Sequence, residues 1–257
     1  MMSLLHKALA SLGIGAATVD TKLEKADYTS GDVIRGEVQI QGGNVDQQID
    51  AIYLTIFTNY KREFNDTETI AKGVIEKVQV TKPLTVQANE NKVIPFSFTL
   101  PVDTPITIGK TQVWIHTHLD IPNALDPRDE DYINVHPSLL VADILEEISN
   151  LGFRLREVEC EQAPYKLQTH YPFVQEFEFI PTSGSFRGRL DELEIIFLSQ
   201  TSDYVEGIMQ IDRKVRGLGS LLSEAFEMDE SFVRFTIRKS DVPTLRGTLQ
   251  KLIANYA

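Results

Sequence analysis

The residues whose types and spacing invite chemistry lie in VWIHTHLDI, residues 113–121. If this segment is a strand, alternation puts Trp114, His116, His118 and Asp120 on one face and Val113, Ile115, Thr117, Leu119 and Ile121 on the other. Two imidazoles and a carboxylate at i, i+2 and i+4 begin a zinc or iron site. The same run continues into LDIPNALDPRDEDYIN, where Asp120, Asp126, Asp129, Glu130 and Asp131 stand among Pro122 and Pro127. A calcium loop of the EF type needs a glycine at its sharp turn, and DPRDEDYINVHP has none. A general acid/base pair needs a pocket that perturbs it, which no spacing supplies. The composition therefore reads as a flexible Pro/Asp connector.

Other chemical motifs are incomplete. IGKT at 108–111 has the ending of a phosphate loop, yet the loop's first glycine would be Thr104, and Pro105 interrupts the strand that should precede it. RKVRGLG at 213–219 reads as a basic surface turn, and no GxSxG elbow is present. Cys160 is the single cysteine, so neither an internal disulfide nor a CxxC zinc motif can form, and its alternating context makes it buried and inert. The expectation is a protein that is not an enzyme and carries no cofactor. The alternative is a metal-dependent β-barrel enzyme using His116, His118 and Asp120.

The elements that would position these residues are mostly strands. VIRGEVQI (33–40), IDAIYLTIFTNY (49–60), GVIEKVQVTKPLTV (73–86), KVIPFSFTL (92–100) and TQVWIHTHLDI (111–121) follow one another with turn residues between them, the pattern of an antiparallel sandwich. HPSLLVADILEEISNLG (136–152) changes period: Leu139, Leu140, Ile144, Leu145, Ile148 and Leu151 form a helical stripe ended by Gly152. Strands return in FRLREVEC, FVQEFEFI, DELEIIFL, YVEGIMQIDRK and ESFVRFTIR. DVPTLRGTLQKLIANYA reads as a closing helix with Asp241 as its N-cap. At the start, Leu4, Leu5, Ala8, Leu9 and Leu12 describe a short amphipathic helix, a reading preferred to a weak signal peptide. The division expected is an N-terminal lobe 1–121, an acidic connector 122–135 and a C-terminal β-rich lobe 136–257. Connector or hinge candidates are Asp120, Pro122, Asp126, Pro127, Arg128, Asp129 and Asp131.

The chain of 257 residues is 42% hydrophobic, enough to build two cores, and its formal net charge is -12. That charge opposes a nucleic-acid backbone and an anionic bilayer, and no basic cluster offsets it. No apolar run approaches the roughly 20 residues that cross a bilayer. A cytoplasmic protein with no nucleic-acid partner and no stable membrane insertion is expected.

VDTKLEKADYTSGDVIRGEVQIQGGNVDQQID, PFSFTLPVDTPITIGKTQVWIHTHLDI and ALDPRDEDYINVHP, in this order, resemble the bacterial arrestin-like sporulation-control proteins, the stage-zero sporulation protein M family. The resemblance covers nearly the whole chain. It implies a mainly β, two-lobed arrestin-like β-sandwich with short N-terminal, mid-chain and C-terminal helices. It also implies a regulatory adaptor or scaffold acting on sporulation onset through regulatory or cell-division proteins. Sheet edges of such a fold can pair two copies into a homodimer. LDIPNALDP is where that family passes between lobes, so its carboxylates are expected to hold or orient them.

Overall fold

A computed structural model describes residues 16–64, 67–122, 126–164, 167, 169–212 and 232–256. The helix expected over Leu4–Leu12 and the basic turn RKVRGLG lie outside these residues. The described part is mainly β, and it divides into two compact units. The first holds residues up to 58, 74–101 and 112–135; the second holds 59–73, 102–111 and 136 onward. Neither unit is one run of sequence, and β5 (Ala51–Phe64) and β6 (Thr67–Gln79) each give residues to both.

In the first unit, β1 (Thr18–Leu23), β3 (Val33–Gln41) and β8 (Asn91–Thr99) form an antiparallel sheet in the order β1-β3-β8. The alternation of VIRGEVQI sends Ile34, Val38 and Ile40 inward, all buried. Gly36 keeps the same phase, and there a Cβ would stand 2.4 Å from the Lys22 carbonyl oxygen. A second sheet joins the first half of β5, β9 (Val113–Asp120), β10 (Arg128–His136) and the short β2 (Asp27–Thr29). Ile52, Leu54, Ile56, Ile115 and Leu119 supply its buried face. The buried hydroxyls of Thr21 in β1 and Thr117 in β9 meet at 2.6 Å, tying the two sheets together.

The stretch 122–135, read above as a connector, is in large part a strand of this unit. Arg128 pairs opposite His118 and Ile133 opposite Val113, so β10 continues the sheet at the edge of β9. Pro122 and Pro127 lie outside that strand. Beyond Pro127 the residues alternate, and Ile133 and Val135 are buried while Arg128 and Tyr132 are exposed.

The second unit is an antiparallel meander of β11 (Phe153–Gln162), β12 (Phe173–Pro181), β13 (Glu192–Gln200), β14 (Tyr204–Asp212) and β15 (Phe232–Arg238), neighbours in chain order. A mid-chain helix, Leu139–Asn150, and a closing helix, Leu245–Ala254, pack on one face of it. Leu140, Ile144, Ile148, Leu245, Leu249 and Ile253 meet Phe177, Phe179, Ile195 and Met209 there. Leu139, placed on the helical stripe by spacing, begins the helix and is 83% exposed. Asp241 does not cap the closing helix. A 3-10 turn, Lys239–Thr244, precedes the helix, and the Asp241 carboxylate accepts the Arg238 N–H at 2.8 Å.

Candidate functional site

The predicted histidine face exists. Strand β9 presents His116 and His118 outward at partial exposure, with their imidazole centroids 6.5 Å apart and nearly parallel, while Thr117 and Leu119 are buried behind them. Register sets the surroundings. Thr55, His116 and Glu130 share one row across β5, β9 and β10; Tyr53, His118 and Arg128 share the next; Phe57, Trp114 and Tyr132 share the third. Trp114 lies 4% exposed between Phe57 and Tyr132, with centroids 5.7 Å from each. Lys77 of β6 stands 4.0 Å over the Tyr53 ring, a cation–π contact.

Each imidazole meets a different carboxylate. His116 Nδ1 is 3.4 Å from Glu130, and His118 Nε2 is 3.6 Å from Asp126. Asp120 ends the strand exposed, and its carbonyl accepts the Asp50 N–H. Among the described residues, no group of three or more His, Cys, Asp or Glu side chains is placed to hold a metal ion. The His116, His118, Asp120 set is thus a row on a pleated face, spread along the strand rather than converged on a point.

The other connector candidates separate by strand parity. Asp126 Oδ1 accepts the Ile121 N–H at 3.1 Å, just past the end of β9. Asp129 accepts the Thr21 N–H at 2.8 Å and so fastens β10 to β1. Asp131 is on the same side as Asp129; burial, and then the charges of Asp129 and Asp20, push its carboxyl up to about 6. Arg128 and Glu130 point to the opposite face with the histidines.

A second constellation lies in the second unit, where the sequence reading did not look. On the face of the meander away from the helices, β11 carries Glu157, Glu159 and Glu161, β12 carries Glu176 and Glu178, and β13 carries Glu192 and Glu194. The register opposes Glu157 to Glu178, Glu178 to Glu194, and Glu159 to Glu176. Side chains of Glu159, Glu176, Glu178, Glu192 and Glu194 are buried. Like charges directly opposite one another destabilise a sheet, so this arrangement requires compensation.

Part of that compensation comes from a β-bulge between Leu155 and Glu157. The bulge adds Arg156 to the strand and shifts the phase, so that Phe153 and Leu155 before it and Val158 after it all face the helices. Arg156 is thereby turned onto the glutamate face, where its guanidinium binds Glu178 and donates to Glu192 at 2.8 Å. Lys61, from the far half of β5, pairs with Glu159. Lys110, the lysine of the IGKT motif, follows Gly109 (φ +64°) in a turn and reaches Glu157 at 2.5 Å and Glu159 at 3.6 Å. Its charge holds the Glu157 carboxyl below the ordinary Glu range, while the Glu157 carboxylate raises Lys110. The IGKT turn thus places an ion-pairing lysine and not a phosphate loop.

Cys160 is buried, its sulfur 3.9 Å from Thr111 Oγ1. A small cavity elsewhere in the second unit is lined by Asp103, Ile106, Tyr171, Phe177 and Phe197, and within its lining the Tyr171 hydroxyl donates to Asp103 at 2.9 Å.

With this geometry in hand, the chain can be compared with known proteins. The family model described as SpoOM protein, Spo0M, matches residues 5–215. The chain belongs to the Spo0M family. The sporulation-control protein spo0M of Bacillus subtilis (strain 168) is 45% identical over 259 residues, covering 100% of both chains. The crystal structure of Spo0M, sporulation control protein, from Bacillus subtilis superposes with a TM-score of 0.88 at 44% identity, covering 95% of this chain and 100% of that one. The family resemblance drawn from the amino-terminal and mid-chain segments is therefore shown for the chain as a whole. Spo0M proteins are named for sporulation control and not for a reaction, and among the described residues no helix is long and apolar enough to cross a membrane.

Proposed function

We propose that this chain is a non-enzymatic regulatory adaptor of the cytoplasm that controls the onset of sporulation through contacts with regulatory or cell-division proteins. The observation that carries the reading is the full-length likeness, 45% identity with no uncovered segment, to a protein named for sporulation control. An arrestin-like architecture of two β lobes is part of the proposal; the two antiparallel sheets of the first unit, tied at Thr21 and Thr117, support it. Such a module works by offering sheet edges and outer faces to partners, and its edges can also pair two copies. The outer face bearing Tyr53, His116, His118 and Tyr132 is a surface of this kind. Asp120 ends β9, Pro122, Asp126 and Pro127 lie between it and β10, and Arg128, Asp129 and Asp131 stand in β10; together they are the proposed passage between lobes.

The test is replacement. A Bacillus subtilis strain lacking its own spo0M would express this chain, with sporulation timing and frequency compared with the parent, and with in-cell cross-linking during starvation. Restored sporulation together with reciprocal capture of one regulatory protein from either side supports the adaptor. A folded, expressed chain that restores nothing refutes the sporulation role. Restoration with no captured protein at near-equal amount refutes the adaptor mechanism.

A further inference from the structure

We propose that the glutamate face of the second unit is a proton-operated switch, closed while neighbouring carboxyls share protons and opened when those protons leave. The geometry demands the protons. The register sets Glu178 directly opposite Glu194 and Glu159 opposite Glu176, and all four side chains are buried. Ionised carboxylates only accept, so two that face each other out of water can bond only through a proton held between them. Glu194 Oε1 and Glu178 Oε2 are buried with no donor among the described residues, a costly condition that a proton on a neighbour relieves. A pocket with room for about one water molecule is lined wholly by Glu157, Glu159, Glu161, Glu176 and Glu178.

The charged groups facing this patch from each element are Arg156 and the three glutamates of β11, Glu176 and Glu178 of β12, Glu192 and Glu194 of β13, and Asp212 of β14 opposite Glu192. Lys61 comes from β5, Glu68 from β6 and Lys110 from the 108–111 turn, and Arg234 of β15 stands exposed opposite Ile208. Lys61, Lys110 and Arg156 are spent on Glu157, Glu159, Glu178 and Glu192. Glu161 stands opposite Lys61 in register, whereas no basic residue lies opposite Glu176 or Glu194: Glu159 and Ile196 face the first, and Glu178 and Gln210 the second. Burial, and then the Glu159 charge, push Glu161 up to about 7. Burial, with Glu161 beside Glu176 and Glu176 beside Glu194, pushes those two upward as well.

The sign follows from linkage. Carboxyls raised above the ordinary Glu value take up protons on folding, so their stabilisation is complete in mild acid and is lost as pH rises through the folded-state values. The window runs from about pH 5 through neutrality and beyond. In the open state Glu176 and Glu194 are ionised and hydrated, and β12 and β13 lose their closed face.

The test is urea unfolding of the full chain by far-UV circular dichroism, with hydrogen exchange of peptides from 173–181 and 192–200. The folded-to-unfolded ratio of the wild type is expected to fall at least tenfold between about pH 6 and about pH 9, since each proton released over one pH unit is worth a factor of ten. Glu176→Gln and Glu194→Gln, which keep a donor without a titration, are expected to flatten that fall and to exceed the wild type at alkaline pH. A flat wild-type profile, or Gln variants that lose stability equally at both pH values, overturns the proposal. Added calcium that protects the alkaline wild type, and not E194Q, also overturns it, in favour of a cation site. If neither variant folds, proton release on unfolding the wild type in weak buffer at neutral pH decides, with no release refuting the switch.

Discussion

Arg156→Met isolates what one guanidinium does for a buried acidic face. Methionine keeps an unbranched apolar stem and deletes the charge that binds Glu178 and Glu192, whose side chains are only 2% and 4% exposed. Removing one partner of a buried pair leaves an uncompensated charge and costs about 3–5 kcal/mol. The Arg156 side chain is itself 37% exposed, so part of its field is screened. The low end applies, about 3 kcal/mol, or roughly a hundredfold in the folded-to-unfolded ratio. Urea unfolding followed by circular dichroism at about pH 7 reads this as a lower midpoint at unchanged slope. Lowering the pH supplies protons where the guanidinium stood, so the deficit should shrink at about pH 5. Adding Glu178→Gln should recover part of the loss, because the second change removes one of the orphaned charges. A loss below about 1 kcal/mol, or an equal loss at both pH values, would show that the bulge does not hold Arg156 on this face.

Ile144→Ala, fully buried between the mid-chain helix and the meander, is expected to cost about 2–5 kcal/mol, while Leu139→Ala, 83% exposed on the same helix, should stay within about 0.5 kcal/mol; both are read by thermal unfolding. Gly36→Ala would bring a methyl to 2.4 Å from the Lys22 carbonyl and should destabilise the first unit by about 1–3 kcal/mol, reported by the fluorescence of Trp114, the only tryptophan. His116→Ala and His118→Ala, whose carboxylate contacts are partly exposed, should each change stability by under about 1 kcal/mol and leave the metal content of purified protein unchanged; a stoichiometric metal lost in either variant would revive the metal-enzyme reading.

Much of the first unit was legible because strand parity is a local property. The division of VWIHTHLDI into an outward row of His116 and His118 and an inward row of Thr117 and Leu119 needs only the two-residue period of a strand. The helical stripe of Ile144 and Ile148 needs only the 3.6-residue period, and Leu139 escaped it because the first turn of a helix need not reach the core. The strand β10 inside the expected connector went unread for a composition reason. Pro122, Pro127 and five carboxylates weigh toward a loop, yet the alternation from Arg128 to Val135 was already a strand pattern, and its partner, β9, was adjacent in sequence.

The glutamate face shows where local reading stops. Glu157, Glu159 and Glu161, then Glu176 and Glu178, then Glu192 and Glu194, alternate with apolar residues, and in a single strand that pattern describes a solvated side. The sequence by itself determined most of the strands, their inward and outward rows, the mid-chain and closing helical stripes and the family. Only the tertiary structure decided that three outward rows stand in opposed register, that a bulge swings Arg156 among them, and that Lys61 and Lys110 arrive from segments far along the chain. The reason is physical: side-chain parity follows from backbone geometry within a strand, whereas register, burial and charge compensation depend on which strands meet, and those contacts are set by packing across many residues of chain.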